Sequence, residues 1–386
     1  MEWKEVRLGD VCNIITGFPF PGKKYSKEGI RVVRGDNVTI GNLRWDTEKD
    51  KRWNEPFDKT EYYSLQANDI VIGMDGSRVG KNKARIKEED LPLLLAQRVA
   101  CVRHNELAEQ DYLYYNIFSK KFIDYVNSIH TGSAIPHISQ KQIEDYKILL
   151  PNLETQRRIA SILSSLDRKI ELNNKINTDL EEMAQAIFKN WFVDFEPFKA
   201  GKFVDSELGM IPEGWKVVKL GDFFPVKTGK KDANTASVNG KYPFFSCSQN
   251  ALCTDSYSFD CDAILVAGNG DFNVKWYSGK FDAYQRTYVL IPYNKKLLAL
   301  LYYVVKRNLL TITSKARGSV IRFITKGNLT DFEFAIPRDL ENNEIVDVFK
   351  SINEKIFANN KENSRLSLLR DTLLPRLMSG EIEVPE

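Results

Sequence analysis

The segment WKEVRLGDVCNIITG at residues 3–17 returns later in the chain as WKVVKLGDFFPVKTG at residues 215–229. Trp, Lys, Val, Leu, Gly, Asp, Thr and Gly occupy the same places in both copies. A second pair follows in the same order: GSAIPHISQKQIEDYKILLP at residues 132–151 and GSVIRFITKGNLTDFEFAIP at residues 318–337. Self-similarity of this kind indicates a duplicated structural unit, so the sequence predicts two related domains.

Shorter matches extend the duplication between these segments. DIVIGMDG at residues 69–76 resembles DAILVAGNG at 262–270, and AQRVACV at 96–102 resembles YQRTYVL at 284–290. Short apolar runs punctuated by Gly, Pro and Asn predict mostly β structure with short helices in both copies. The chain end Val384-Pro385-Glu386, followed by the chain start, echoes residues 211–215, so we expect the two ends to lie close together.

Each copy is followed by a long segment whose apolar residues recur at heptad spacing, which is typical of a coiled coil. In both segments two asparagines interrupt the middle of the apolar seam. We expect the helices to pair antiparallel, so that Asn173 and Asn177 face Asn359 and Asn363 and fix the register. The alternative is two independent amphipathic helices, each docked on its own domain.

These patterns predict an α+β protein with circular pseudo-two-fold symmetry. Two similar mixed α/β domains are expected at residues 1–151 and 197–337. The long helices are expected at residues 152–196 and 338–386, packed as an antiparallel coiled coil.

Composition excludes several classes of protein. The 386 residues are 42% apolar with a net charge of +3, which is too apolar for a disordered chain. We find no apolar run of about 20 residues and no signal peptide, so we expect a cytoplasmic protein without a membrane span. The five cysteines form no C-x2–4-C pair, which favours free thiols over a metal site.

Catalytic motifs are not apparent. The chain lacks the N/D-P-P-Y/F motif of adenine methyltransferases, and residues 76–82 do not have the spacing of a phosphate-binding loop. Residues 197–337 carry 19 basic and 12 acidic residues, whereas residues 338–386 carry 7 and 10. Residues 1–151 carry 23 basic and 22 acidic residues. The segments suited to meeting an anion are therefore 1–151 and 197–337.

Polar loops in both copies offer groups suited to DNA, because Arg and Gln read base edges bidentately and small residues let backbone amides approach phosphate. Gln97-Arg98 and Gln285-Arg286 recur at equivalent places. The full set of candidate DNA-binding residues is Arg78, Gln97, Arg98, Gly132, Ser133, Lys230, Lys231, Ser248, Gln249, Asn250, Gln285, Arg286, Arg317, Gly318 and Ser319. Any one of them alone is more often part of an ordinary polar loop, so the prediction rests on the duplication.

In this order, the motifs resemble those of the specificity subunit of type I restriction–modification systems. The motifs that carry the resemblance are Trp3 with Leu8-Gly9-Asp10, Gly132-Ser133 with Ile138-Ser139, Glu154-x-Gln156, residues 187–195, and residues 208–215. The second copy departs from the pattern at residues 338–345, which lack the E-x-Q of the first.

The resemblance implies two target recognition domains, each reading one half of a bipartite double-stranded DNA site. It implies helices that set the spacer length and dock two methylase subunits, with motor/nuclease subunits joining for restriction. S-adenosylmethionine, ATP and Mg²⁺ are then expected only on those partners, and this chain is expected to be non-catalytic. The alternatives are a self-sufficient DNA modification enzyme and a coiled-coil scaffold with no role on DNA.

Overall fold

The structure is a computed structural model that describes residues 3–56, 58–130 and 136–384. The chain divides into two units, and each unit takes part of both long helices. Unit 1 comprises Met1–Glu171 and Asn363–Glu386, and unit 2 comprises Leu172–Glu362. The boundaries predicted from the repeats are different, because they separate each long helix from the domain before it. Those boundaries stay a prediction.

Unit 1 contains a mixed α/β region that we call head 1, followed by the first long helix. The elements of head 1 are β1 (Lys4–Arg7), α1 (Leu8–Val11), β2 (Cys12–Thr16), β3 (Ile30–Val33), β4 (Ile40–Gly41), β5 (Arg52–Trp53), α2 (Thr60–Tyr63), β6 (Ile70–Gly73), β7 (Lys83–Arg85), β8 (Leu93–Leu95), β9 (Val99–His104), α3 (Gln110–Phe118), α4 (Lys120–Ile129), α5 (Gln140–Glu144) and β10 (Lys147–Leu150). The long helix α6 spans Leu153–Phe192, and its first part belongs to unit 1.

Unit 2 contains head 2, followed by the second long helix. The elements of head 2 are β11 (Phe203–Val204), β12 (Ile211–Pro212), β13 (Trp215–Lys219), β14 (Val226–Thr228), β15 (Tyr242–Phe245), β16 (Leu252–Thr254), β17 (Phe259–Ala267), β18 (Val274–Ala283), β19 (Thr287–Leu290), α7 (Leu298–Arg307), α8 (Leu309–Ser314), α9 (Lys326–Thr330) and β20 (Glu333–Pro337). The long helix α10 spans Glu344–Met378, and its first part belongs to unit 2.

The main sheets of the two heads share the order of their first four strands, and head 1 has a second sheet of order β5-β3-β8. In head 1 the strands run β2-β9-β6-β7-β4, and in head 2 they run β14-β19-β17-β18-β15-β16. The repeated ends of each copy also pair, β1 with β10 and β13 with β20. The heads differ where β18 continues as one strand through Gly279, which has a φ of +118°, whereas head 1 has the separate strands β7 and β8.

The repeated Leu-Gly-Asp sequence explains how each head begins. Leu8 and Leu220 have no exposed surface and anchor the turn in the core. Asp10 and Asp222 each accept a hydrogen bond from the backbone N–H three residues earlier, at 3.2 and 2.9 Å. These carboxylates satisfy a donor that the short turn would otherwise leave without a partner.

The long helices pair within each unit. In unit 1, Ile159 and Leu163 from the start of α6 form one buried cluster with Leu377 from the end of α10. In unit 2, Phe188 from the end of α6 lies against Phe349 from the start of α10, with ring centroids 6.3 Å apart. Early residues of one helix therefore meet late residues of the other, which confirms the predicted antiparallel pair.

A polar layer interrupts the apolar seam. The four predicted asparagines are Asn173, Asn177, Asn359 and Asn363. The buried Asn359 donates from Nδ2 to Oδ1 of Asn177 at 2.8 Å, and Asn177 donates to Oδ1 of Asn360 at 2.9 Å. Asn173 donates to Oε2 of Glu362 at 2.7 Å, a partner that the heptad pattern did not identify. Asn363 is the first residue of the α10 part that belongs to unit 1.

The described ends of the chain meet in unit 1, as predicted. Trp3 and Val384 pack against the same buried cluster as Leu377. A Cβ atom on Gly380 would lie 3.1 Å from the Trp3 ring, so the indole covers this glycine directly. In unit 2, Trp215 makes the equivalent contact with the segment that follows α6, and its ring lies 5.1 Å from the ring of Phe198.

Head 1 is tied to the helix pair by a carboxylate. Asp167 on α6 accepts a hydrogen bond from the Tyr115 hydroxyl at 2.7 Å and one from Nη1 of Arg370 on α10 at 2.6 Å. Burial and the Asp167 carboxylate both raise the pKa of Tyr115, so the phenol stays a donor. Asp167 therefore joins three elements of unit 1.

Head 2 uses the equivalent tyrosine and a different carboxylate. Glu181 on α6 accepts from the Tyr303 hydroxyl at 3.2 Å and from Nζ of Lys306 at 2.6 Å. Both tyrosines follow the repeated Leu-Tyr of α3 and α7, so the duplication preserves the donor while the acceptor changes.

We predict that Asp167→Ala lowers the free energy of unfolding by about 1–3 kcal/mol, because it leaves the buried Tyr115 phenol and the partly buried Arg370 guanidinium without their shared acceptor. Urea unfolding measures the change. Asp179→Ala is the matched control, since Asp179 is an exposed carboxylate of the same helix with no ion pair among the described residues. Equal stability of the two variants would contradict the prediction.

Candidate nucleic-acid interface

Two equivalent turns carry the repeated Gln-Arg pair. Gln97-Arg98 lies between β8 and β9, and Gln285-Arg286 lies between β18 and β19. The N–H of Gln97 donates to the carbonyl of Phe18 at 2.9 Å, and the N–H of Gln285 donates to the carbonyl of Lys231 at 2.9 Å. The turns are thus held in the same way, with Lys231 of head 2 in the place of Phe18.

The Thr-Gly that ends each repeated opening segment is required by this arrangement. A Cβ atom on Gly17 would lie 2.2 Å from the carbonyl oxygen of Ala96, and one on Gly229 would lie 2.2 Å from that of Ala283. No other residue fits at such a distance without moving the backbone. The two glycines therefore let the chain pass directly beside the Gln-Arg turns.

Three further backbone hydrogen bonds fix each turn against a hairpin and a following segment. In head 1 they join the N–H of Met74 to the carbonyl of Arg98 (3.0 Å), Gly76 to Pro136 (3.0 Å) and Ile138 to Met74 (2.8 Å). In head 2 they join Gly268 to Arg286 (2.8 Å), Gly270 to Arg322 (3.0 Å) and Ile324 to Gly268 (2.9 Å). We call this repeated set of bonds the shared frame. It presents different side chains from the same backbone positions.

The frame of head 1 borders a cleft of about 790 Å³. The cleft brings together three of the predicted residues, Arg78, Gln97 and Arg98. It also contains Arg34 and Arg44, which sequence reasoning missed. Their positions in polar turns were visible in the sequence, but only the fold places them opposite the Gln-Arg turn.

The frame of head 2 borders a smaller cleft of about 440 Å³. Lys230, Gln285 and Arg286 line it together with Tyr288, whose hydroxyl donates to the carbonyl of Ile324 at 2.8 Å. Burial raises the pKa of the Tyr288 phenol, and the nearby Arg286 cation opposes that shift. Three predicted residues thus meet in one cleft, with Lys231 beside them.

A loop next to the β17–β18 hairpin of head 2 holds three more predicted residues. Gln249 donates from Nε2 to Oδ2 of Asp271 at 2.5 Å, and the Ser248 carbonyl accepts from Nζ of Lys275 at 2.7 Å. The Ser248 hydroxyl donates to the carbonyl of Asn250 at 2.7 Å. The loop is therefore ordered by its own contacts and does not line the cleft itself.

The remaining predictions fall on equivalent segments of the two repeats. Arg317, Gly318 and Ser319 lie in a hairpin that is joined to the head 2 frame through the Arg322 carbonyl. Gly132 and Ser133, the equivalent residues of head 1, lie outside the described residues. The assignment of all these residues to DNA binding stays a prediction.

The two Gln-Arg turns differ in their electrostatics. Nη1 of Arg98 lies 2.6 Å from Oδ2 of Asp75, so its guanidinium is held in one direction while two-thirds of the side chain remains exposed. Arg98 also has a φ of +65°. Among the described residues, Arg286 has no carboxylate within ion-pair distance. Its cation is therefore available to a ligand without breaking an existing pair.

A buried lysine holds the loop that carries Arg78. Lys83 is 3% exposed, and its Nζ donates to the carbonyls of Gly80 at 3.0 Å and Ile117 at 2.7 Å. Two phenylalanine rings lie 5.4 and 5.0 Å from the same nitrogen. Burial lowers the pKa of Lys83 to about 7. Lys83 thus fastens the end of the loop at residues 76–82 to helix α3.

The model of the type I restriction modification DNA specificity domain matches residues 1–182 and 212–368. The chain belongs to this family. The expected family membership and the expected fold class are therefore both confirmed.

Two type I restriction enzyme specificity subunits that are similar in sequence agree with this membership. The MjaIX specificity subunit of Methanocaldococcus jannaschii is 30% identical over 305 residues, which are 72% of this chain and 70% of that one. The EcoDI specificity subunit of Escherichia coli is 38% identical over 178 residues, but the match spans only 45% of this chain and 40% of the relative. Much of the second protein is thus unmatched.

A solved structure supports the fold. The type I restriction–modification S subunit of M. genitalium has a TM-score of 0.63 to this chain at 15% identity, and the alignment covers 98% of this chain and 96% of that one. Within the residues described for this family member, no helix is both long and apolar enough to cross a bilayer.

We predict that, between pH 7 and pH 10, the free energy of unfolding rises more for the wild type than for a Lys83→Met variant. The folded-state pKa of Lys83 is about 7, whereas an unfolded lysine titrates near about 10.4, so the unfolded state binds more protons in this range. The excess slope is at most about 1.4 kcal/mol per pH unit.

Urea unfolding at several pH values measures this difference. Lys81→Met is the matched control, because Lys81 is exposed in the same loop and its removal should leave the pH profile unchanged. Parallel profiles for the wild type and Lys83→Met would contradict the prediction.

Proposed function

We propose that this chain is the DNA specificity subunit of a type I restriction–modification complex, and that each head reads one half of a bipartite DNA site. The shared frame carries the proposal. Two copies of one backbone arrangement present Gln and Arg at equal places and surround them with different side chains. A duplicated frame with divergent side chains suits two related readings of two different sequences.

The side chains of the two clefts suit duplex DNA. Arg binds O6 and N7 of guanine, and Gln binds N6 and N7 of adenine, each through two hydrogen bonds in the major groove. Lysines such as Lys230 meet phosphates, which position the protein without reading sequence. The net charge of residues 197–337 favours this contact, and binding should weaken as salt is added.

The helix pair is proposed to set the number of unread base pairs between the two half-sites. Both helices run from one unit into the other, and each head is fastened to its own part of the pair through Asp167 or Glu181. The same pair is proposed to dock two methylase subunits, and motor/nuclease subunits would join the complex for restriction.

The chemistry is proposed to lie on those partners. Methylation of adenine would use S-adenosylmethionine on the methylase, and restriction would use ATP and Mg²⁺ on the motor/nuclease subunits. The chain itself is proposed to be non-catalytic and to act in the cytoplasm, where the DNA is.

The proposal is tested by co-expressing the chain with a methylase subunit from the same genome and mapping N6-methyladenine by single-molecule sequencing. We expect one bipartite methylated motif. The purified chain alone should transfer no label from S-adenosylmethionine to DNA. Methyl transfer without the partner would instead indicate an enzyme, and a complex that neither methylates nor selectively protects any sequence would indicate a scaffold.

We predict that Arg98→Ala and Arg286→Ala relax the methylated motif in opposite halves. Each loss should reduce discrimination at one base pair by about 1–3 kcal/mol and leave the other half-site and the spacer unchanged. The motif maps of the two variants measure the effect.

Arg338→Ala is the matched control for Arg286→Ala, since Arg338 is an exposed arginine of unit 2 that does not line the cleft. Relaxation of both half-sites by one substitution would refute the reading of one half by each head.

A further inference from the structure

One hairpin of head 2 has a fixed and unusual tip. Arg317 and Phe323 exchange two backbone hydrogen bonds, of 2.8 and 2.7 Å, which close the hairpin. Gly318 has a φ of +103°, and a Cβ atom on it would lie 2.2 Å from the carbonyl oxygen of Ile321. Only glycine fits this position, so the shape of the tip is set by its own backbone.

The tip presents apolar side chains to solvent. Val320 is 93% exposed and Ile321 is 59% exposed. Both are β-branched, so their side chains have few rotamers to lose when they become buried. Two adjacent apolar residues on a closed turn contribute nothing to the core of head 2, which suggests that they contact something outside the chain.

The surroundings of the tip are basic. Residues 314–326 include four basic residues and no Asp or Glu. The four are Lys315, Arg317, Arg322 and Lys326. Asp271, a carboxylate of the adjoining β17–β18 hairpin, already accepts a hydrogen bond from Gln249. An apolar tip flanked by cations suits DNA, whose stacked bases lie between rows of phosphates, better than it suits the apolar surface of a protein.

The tip also borders the candidate DNA cleft. The N–H of Gly270 donates to the carbonyl of Arg322 at 3.0 Å, and the N–H of Ile324 donates to the carbonyl of Gly268 at 2.9 Å. Gly268 and Ile324 line the cleft that contains Arg286. DNA held by Arg286 would therefore pass beside Val320 and Ile321.

We propose that Val320 and Ile321 form a wedge that enters a groove of the DNA and partly unstacks one base step at the edge of the half-site read by head 2. The proposal rests on the proposed function. Apolar side chains that enter between bases replace part of the stacking they disrupt, and flanking cations hold the phosphates on either side of the opened step. An opened step also reduces the work of extruding a neighbouring base for chemistry.

The test uses the full chain in complex with its methylase and DNA that carries the mapped site. The fluorescent base 2-aminopurine replaces one base at a time around the head 2 half-site, except at the methylated adenine, because its emission rises when it unstacks. We expect enhanced emission at one step with the wild type. Val320→Ala/Ile321→Ala should abolish this enhancement and lower affinity for the site by about tenfold.

Val238→Ala is the matched control, since Val238 is a fully exposed apolar residue elsewhere in head 2. It should keep both the enhancement and the affinity. Circular dichroism and the thermal midpoint establish that the double variant is folded.

Four other outcomes are informative. Wild-type emission without an enhanced step, or enhancement that survives in the double variant, overturns the wedge while leaving sequence recognition intact. Loss of the methylase from a folded double variant also overturns it, because the tip is then a protein contact. Absence of any sequence-selective binding by the wild type refutes the proposed function itself.

Discussion

The antiparallel pairing of α6 and α10 is the constraint on which the rest of the structure depends. Each unit needs both helices, because its apolar seam is completed by the start of one and the end of the other. The hydrogen bonds of Asn177 with Asn359 and Asn360 restrict the register, since a shifted pair would bury amides without partners. Asp167 and Glu181 then bind a tyrosine of head 1 and of head 2, respectively, and so fix each head at a defined position along α6.

The heads show how one backbone arrangement can present two different sets of side chains. The shared frame, its two close-approach glycines and the Leu-Gly-Asp turn with its buried leucine are constant, because each is required by backbone packing. The residues around the clefts are free to differ. Arg98 is oriented by Asp75, whereas Arg286 has no such partner among the described residues, so the guanidinium groups at equal positions differ in their electrostatic surroundings.

The features that could be predicted from the sequence are those that follow from the duplication or from a periodic pattern. The repeated Trp-to-Gly segments indicated two heads, the heptads indicated the antiparallel pair, and the recurring Gln-Arg indicated equivalent turns. Individual contacts between residues far apart in the chain could not be predicted, because no repeat or period specifies them. Glu362 was not identified as the partner of Asn173. Arg34, which lines the head 1 cleft, and the buried Lys83, which holds the loop at residues 76–82, do not belong to any repeated segment.

The most direct test inserts one heptad into α6 between Asn174 and Lys175 and one into α10 between Glu362 and Asn363, so that the helices stay paired. Seven residues add about 10.5 Å of helix, or about three base pairs of duplex. Mapping of methylated adenines should then give the original two half-sites with a spacer longer by about three base pairs. An unchanged spacer in a folded, active complex would contradict the account.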